Sequence, residues 1–195
     1  MRQDVVIIKY NAGNIGSVAN ALRRIGIEAN VTDSHEEIRR ADKVIFPGVG
    51  EASTTMKYLK ETGLDKVITS LEQPTLGICL GMQLMCSHSE EGDTPGLGIF
   101  NEKVKLFRIG AKVPHMGWNS IQISQDNLLK GLSDPAYFYF VHSYYCELGP
   151  ETQSICEYEI PFSAYLKKDN FYAVQFHPEK SGPLGAVFLQ NFIEL

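Results

Sequence analysis

The chain has 195 residues, 44% of them hydrophobic and 21% charged, enough for one sizeable core and for roughly one domain. A net charge of −5 disfavours nucleic acid and anionic membrane as partners, and no apolar stretch reaches membrane-spanning or signal-peptide length. The four cysteines, Cys79, Cys86, Cys146 and Cys156, show neither a CxxC pair nor metal-ligand spacing, so reduced thiols, no metal and a cytoplasmic setting are expected.

Val5 to Ile8 is an unbroken apolar run, the pattern of a strand buried on both faces. A loop follows over Tyr10-Asn11-Ala12-Gly13-Asn14. Ile15, Val18, Ala19, Leu22 and Ile25 then recur at helical spacing as far as Gly26. Ile27 to Val31 reads as a second strand, and Ser34-His35-Glu36-Glu37 as a capping box opening a short helix. Lys43 to Phe46 is a third strand, ending in Pro47-Gly48-Val49-Gly50. Met56 to Leu71 is helical, with a break near Gly63. Strand alternating with helix predicts a parallel α/β arrangement, whose ligands bind at the carboxyl ends of the strands.

Thr75 to Ile78 leads into Cys79, with Gly77 two residues before it and Gly81 two after, and a helical pattern begins at Met82. This spacing reads as a nucleophile elbow, a sharp strand-to-helix turn whose apex residue is strained and whose neighbours must be small. Cys79 would stand at a helix N-terminus, which favours a thiolate, and the Leu80 N–H would point to where an oxyanion forms. Taken alone, the pattern fits equally a small buried cysteine between packing glycines.

After about Gly92 helical periodicity becomes scarce. Strands are predicted around Phe100–Phe107, Ser120–Ile123, Ala136–Leu148, Thr152–Tyr158, Ser163–Leu166 and Phe171–Val174, an antiparallel or mixed half, before a last helix from Leu184 to Ile193. The final strand runs into Gln175-Phe176-His177-Pro178-Glu179. His177 has the chemistry of a base for a cysteine nucleophile. Glu179, held two residues on by Pro178, has that of the acceptor that orients it. Alone, His-Pro-Glu more often marks a surface turn; beside an elbow cysteine at another strand end, the balance reverses.

The set Pro47-Gly48-Val49-Gly50, Gly77-Ile78-Cys79-Leu80-Gly81-Met82-Gln83 and Gln175-Phe176-His177-Pro178-Glu179, in that order, resembles the class I (triad-type) glutamine amidotransferases over nearly the whole chain. The resemblance implies one domain over residues 1–195. Its central sheet would be flavodoxin-like and mostly parallel, flanked by helices, with an additional antiparallel or mixed sheet in the C-terminal half. It implies glutamine hydrolysis through a γ-glutamyl thioester, without a cofactor. Cys79 would be the nucleophile, His177 the base and then the acid, and Glu179 the orienter. Leu80, with Val49 and Gly50, would form the oxyanion hole. Gly48, Gly50, Gln83, His142, Ser143 and Tyr144 would hold the substrate, with Glu91 at its α-amino group.

Val113-Pro114-His115-Met116-Gly117-Trp118-Asn119 holds the only tryptophan, and its Pro, Gly and Asn content predicts a turn. Composition alone favours a Trp-anchored core turn. The segment nevertheless resembles one typical of the glutaminase subunits of imidazole glycerol phosphate synthases. So do Tyr10-Asn11-Ala12-Gly13-Asn14, Phe140-Val141-His142-Ser143-Tyr144 and His177-Pro178-Glu179-Lys180-Ser181-Gly182. That resemblance implies a TIM-barrel cyclase partner that receives the ammonia in histidine biosynthesis. It places Asn11, His115, Met116, Gly117, Trp118, Asn119, Tyr139 and Lys180 near the partner. The rivals are the same chemistry serving anthranilate or aminodeoxychorismate synthase, a cysteine peptidase, and a non-catalytic scaffold. His35 and His88 read as solvated, and Cys86, Cys146 and Cys156 as packing residues.

Overall fold

In the computed structural model, residues 3–11, 13–108, 110 and 112–195 are described; Ala12 of the expected Tyr10–Asn14 loop lies outside them. The elements run β1 (Val5–Ile8), α1 (Ile15–Arg24), β2 (Asn30–Thr32), α2 (His35–Arg40), β3 (Lys43–Gly48), α3 (Ala52–Thr62), α4 (Leu64–Thr69), β4 (Thr75–Cys79) and α5 (Leu80–Met85). They continue with β5 (His88–Ser89), β6 (Thr94–Pro95), β7 (Lys103–Leu106), β8 (His115–Ile121), β9 (Ala136–His142), β10 (Tyr144–Cys146), β11 (Thr152–Tyr158), β12 (Ile160–Lys168), β13 (Phe171–Val174) and α6 (Gly182–Ile193).

The large sheet has the order β2-β1-β3-β4-β13-β12-β11-β8-β9. Its first five strands are parallel. The remaining four join antiparallel. The second sheet is small, β10-β7-β5-β6, so most C-terminal strands prolong the first sheet instead of forming another. Strand β1 shows why the parallel half reads as apolar runs. Val5 and Ile7 enter the core on one face, Val6 and Ile8 the core on the other, and all four are fully buried. Ser34 caps α2 by accepting from Glu37 N, and the Glu51 carboxylate caps α3 by accepting from Ser53 N and Thr54 N.

Among the boundaries that differ from the sequence reading, three have a clear physical cause. The second strand starts at Asn30, not Ile27, because the Ile27 N–H is spent on the Leu22 carbonyl, closing α1 after Gly26 at φ +84°. The run from Ala136 to Leu148 splits at Ser143, whose carbonyl accepts from Phe107 N, so β9 stays in the large sheet while β10 joins the small one. His115 to Asn119 is not a turn but the first part of β8, paired along its length with β9. Its apolar residues alternate, with Met116 and Trp118 outward and His115 inward, and Gly117 carries a φ of +136°. His88 is not simply solvated either: it lies in β5 with its Nε2 2.9 Å from Asp93 Oδ1. Among the described residues no helix is long and apolar enough to cross a membrane.

Candidate active site

The register of the parallel strands brings the three motifs together. Gly48 at the end of β3 lies opposite Cys79 at the end of β4, and Val174 at the end of β13 lies opposite Ile78. Cys79 has φ +54° and ψ −107°, a conformation that costs a non-glycine residue on the order of 1–3 kcal/mol, and α5 begins directly after it. The glycines around it are required by contact. A Cβ on Gly77 would lie 2.8 Å from Met85 Sδ, and one on Gly81 would collide with the Phe46 carbonyl oxygen. This is the elbow predicted from Gly-x-Cys-x-Gly.

His177 and Glu179 are both sealed from solvent, with His177 Nδ1 2.7 Å from Glu179 Oε1. The carboxylate accepts, so Nδ1 carries the proton and Nε2 is the working nitrogen. Among the described residues Nε2 has no hydrogen-bond partner. Burial works against a charged imidazole. Interaction with the Cys79 sulfur, and then with the Glu179 carboxylate, outweighs it and raises the His177 pKa to about 10. Two clamps fix this pair. Asn14 Nδ2 donates to the same Glu179 Oε1, and Ser181 Oγ donates to the His177 carbonyl at 2.7 Å while accepting from Tyr139 N at 3.0 Å.

Beside Cys79 opens a cavity of about 300 Å³ lined by Val49, Gly50, Leu80, Gln83, Glu91, Pro114, Val141, His142, Ser143 and Tyr144. Its walls are held by internal hydrogen bonds. Gln83 Nε2 donates to the Tyr144 carbonyl at 2.9 Å and to Gln175 Oε1 at 3.0 Å, which leaves Gln83 Oε1 for a ligand. Gln175 Nε2 approaches Cys79 Sγ at 3.7 Å, and the Val141 carbonyl lies 3.9 Å from the same sulfur. Glu91 accepts from Ala52 N at 2.8 Å, and its pKa is raised by burial and by neighbouring Glu51, against that backbone bond.

The family profile for glutamine amidotransferase class-I matches residues 6–195. The chain is 57% identical over 194 residues to imidazole glycerol phosphate synthase subunit HisH of Bacteroides fragilis strain YCH46, covering 98% of this chain and 99% of that one. It is 46% identical over 195 residues to the HisH subunit of Escherichia coli K12, covering 98% and 100%. The chain belongs to the class-I glutamine amidotransferases, and among them to the HisH family. A crystal structure of another glutamine amidotransferase, 20% identical, matches 97% of each chain with a TM-score of 0.74, which supports the fold.

Within this amidotransferase fold, every residue expected at the substrate site lines the cavity except Gly48. Gly48 is buried behind it, where a Cβ would meet Tyr10 Oη and Leu80 Cβ. The residues expected near a partner divide. Met116 and Trp118 are 62% and 57% exposed, Asn11 and Lys180 are exposed, and Lys180 Nζ lies 5.8 Å from the Tyr139 ring centroid. Trp118 meets Tyr139 edge-on with centroids 6.2 Å apart. His115, by contrast, is buried, and Asn119 is half-buried with its amide turned inward to the Glu157 carbonyl. Strand alternation turns both side chains to the face of β8 away from Met116 and Trp118. Sequence reasoning assigned no role to Asn14, Gln175, Ser181 or Pro114. All four stand inside quoted motifs, and only the fold shows which atoms they reach.

Proposed function

We propose that the chain is the glutaminase subunit of an imidazole glycerol phosphate synthase. In this reading it is a single cytoplasmic domain over residues 1–195 that hydrolyses glutamine and delivers ammonia to a TIM-barrel cyclase subunit. The observation that carries the reading is the buried His177–Glu179 pair beside a strained elbow cysteine that opens onto a cavity of amino-acid size. Belonging to the HisH family supports it independently.

The steps follow from these positions. His177 Nε2 takes the Cys79 thiol proton, the resulting thiolate attacks the γ-carboxamide carbon of glutamine, and the carbonyl oxygen becomes an oxyanion. The Leu80 N–H, with an N–H from Val49 or Gly50, stabilises that charge. As the tetrahedral intermediate collapses, the C–N bond breaks and His177 Nε2 gives its proton to the departing nitrogen, so ammonia leaves and a thioester remains. His177, now neutral, takes a proton from water; the hydroxide adds to the thioester, and the C–S bond breaks to free glutamate and the Cys79 thiolate. Glu179 keeps the Nδ1 proton in place throughout and stabilises the imidazolium. Glu91 meets the substrate α-amino group, while the backbone of His142–Tyr144 and Gln83 Oε1 hold the rest.

The partner docks on the exposed face of β8 and β9. Val113, Met116, Trp118 and Tyr137 make this face apolar, and Tyr139 and Lys180 border it. The test is steady-state glutamine hydrolysis by the isolated subunit, by its complex with a cyclase barrel, and by that complex with the nucleotide substrate. Hydrolysis that rises in that order supports the reading; no hydrolysis under any condition refutes it.

A further inference from the structure

A chain of hydrogen bonds that the mechanism does not use runs from the docking strand to the glutamine cavity. Asn119 Nδ2 donates to the Glu157 carbonyl at 2.9 Å and lies 3.3 Å from His115 Nε2. His115 Nδ1 is 2.9 Å from His142 Nε2, and His142 Nδ1 is 2.7 Å from the Tyr144 carbonyl. Carbonyls accept only, so the direction is fixed from both ends. His142 Nδ1 must carry a hydrogen to reach Tyr144. For neutral rings, His142 Nε2 then accepts from His115 Nδ1–H, and His115 Nε2 accepts from the Asn119 amide.

The end of this chain is the wall of the cavity. The Tyr144 carbonyl also accepts from Gln83, which holds Gln175 against Cys79, and Val141 beside His142 places its carbonyl near the same sulfur. His115 and His142 are cross-strand partners, so they tie β8 to β9 just where β9 ends at the site. Both rings lie among aromatic side chains, His115 stacked on Tyr158 at 4.0 Å and on Phe140 at 5.0 Å. A phenylalanine would fill such a place, and two buried imidazoles are tolerable only because each nitrogen is satisfied.

We infer that His115 and His142 are positioning residues, a neutral relay with one fixed tautomer that holds the Val141–Tyr144 wall of the glutamine site and links it to Asn119 on the docking strand. The inference rests on the glutaminase reading for its kinetic consequence. The surroundings favour neutrality: burial lowers the His115 pKa to about 4, and burial, against the Tyr144 hydrogen bond and with the charge of His177, lowers that of His142 to about 3.

Two substitutions separate positioning from packing. His115→Phe keeps the aromatic stack and removes both hydrogen bonds. His115→Asn loses the ring and keeps a side-chain N–H near the Nδ1 position. Each is assayed in the complex with the cyclase for glutamine-driven and ammonium-driven synthesis, with melting temperatures measured alongside. The relay predicts that His115→Phe raises KM for glutamine about tenfold, the worth of the lost hydrogen bond to His142 that reaches the cavity wall, with ammonium-driven synthesis unchanged and partial rescue in His115→Asn. A merely structural ring predicts the reverse order, and that result overturns the inference. Nitrogen NMR of the histidines in the unsubstituted protein is the second arm. Both rings should be neutral with the hydrogen on Nδ1 near neutral pH; an imidazolium or the other tautomer at either position overturns the inference. Absence of glutamine turnover in the unsubstituted complex would refute the glutaminase reading instead, and the NMR arm still decides the relay.

Discussion

Replacing Glu179 with Gln changes the charge of the orienting group while keeping its shape. His177 Nδ1 and Asn14 Nδ2 both donate to Glu179 Oε1, in a spot closed to water. In Glu179→Gln the amide oxygen must stay there, because turning the amide over would set its N–H₂ against two donors. The His177 tautomer therefore survives, and the ~10⁴-fold loss that a flipped tautomer causes in a serine triad is not expected. What is lost is charge assistance, the difference between a hydrogen bond to a charged group and a neutral one, about 1–2 kcal/mol. That predicts a fall in kcat/KM for glutamine of roughly 5–30-fold. His177→Asn removes the proton carrier and should cost ~10²–10⁴-fold. The assay is glutamate formation by the complex with the cyclase.

Stability should respond as well. His177 binds its proton more tightly when folded, at about 10 against the ordinary 6.5, so its contribution is complete below 6.5 and disappears as pH climbs through 10. Urea unfolding should show stability declining across that window, with a shallower decline in Glu179→Gln. If the variant keeps wild-type kcat/KM within about twofold, or falls as far as His177→Asn, the orienting role is wrong.

Gly81→Ala forces a Cβ into the Phe46 carbonyl and should lower the melting temperature by an overpacking cost of ~1–3 kcal/mol, with a larger loss in kcat as the elbow shifts; an unchanged melting curve would contradict the packing argument. Trp118→Ala removes a side chain from the exposed β8–β9 face, so titration of the subunit with the cyclase should show reduced stimulation with basal glutamine hydrolysis little altered. Because ammonia without an acceptor is wasted, the isolated subunit should turn over slowly. Partner and nucleotide should raise kcat more than they change KM, through the Val49–Gly50 segment favouring its oxyanion-binding orientation; rates agreeing within about twofold under all three conditions would remove the switch.

What the sequence made legible was whatever local pattern and strict packing determine. The all-buried run Val5–Ile8, the Ser34 N-cap and the Gly-x-Cys-x-Gly elbow each follow from short-range chemistry and lie where their residues predict, although the Glu37 half of the expected capping box is not formed: Ser34 N donates to Thr32 and Glu37 accepts from Asn30. Pro-His-Met-Gly-Trp-Asn misled because its Pro and Gly look like turn chemistry. Pairing with β9, a long-range contact, keeps Gly117 inside a strand, and alternation then buries His115 instead of exposing it. Most strands beyond Gly92 were recognisable singly, but nothing local said that β12, β11, β8 and β9 prolong the parallel sheet. The site was legible as three motifs. Its supporting contacts, Asn14 to Glu179 across 165 residues and Gln175 to Cys79 across 96, exist only through the fold.

In the proposed function Cys79 opens glutamine and the ammonia is used elsewhere. The most direct measurement compares the unsubstituted complex with a Cys79→Ala complex, driving synthesis first with glutamine and then with an ammonium salt. Cys79→Ala should abolish glutamine-driven synthesis and glutamate release while ammonium-driven synthesis continues at the unsubstituted rate. Normal glutamate release from the Cys79→Ala complex would contradict it.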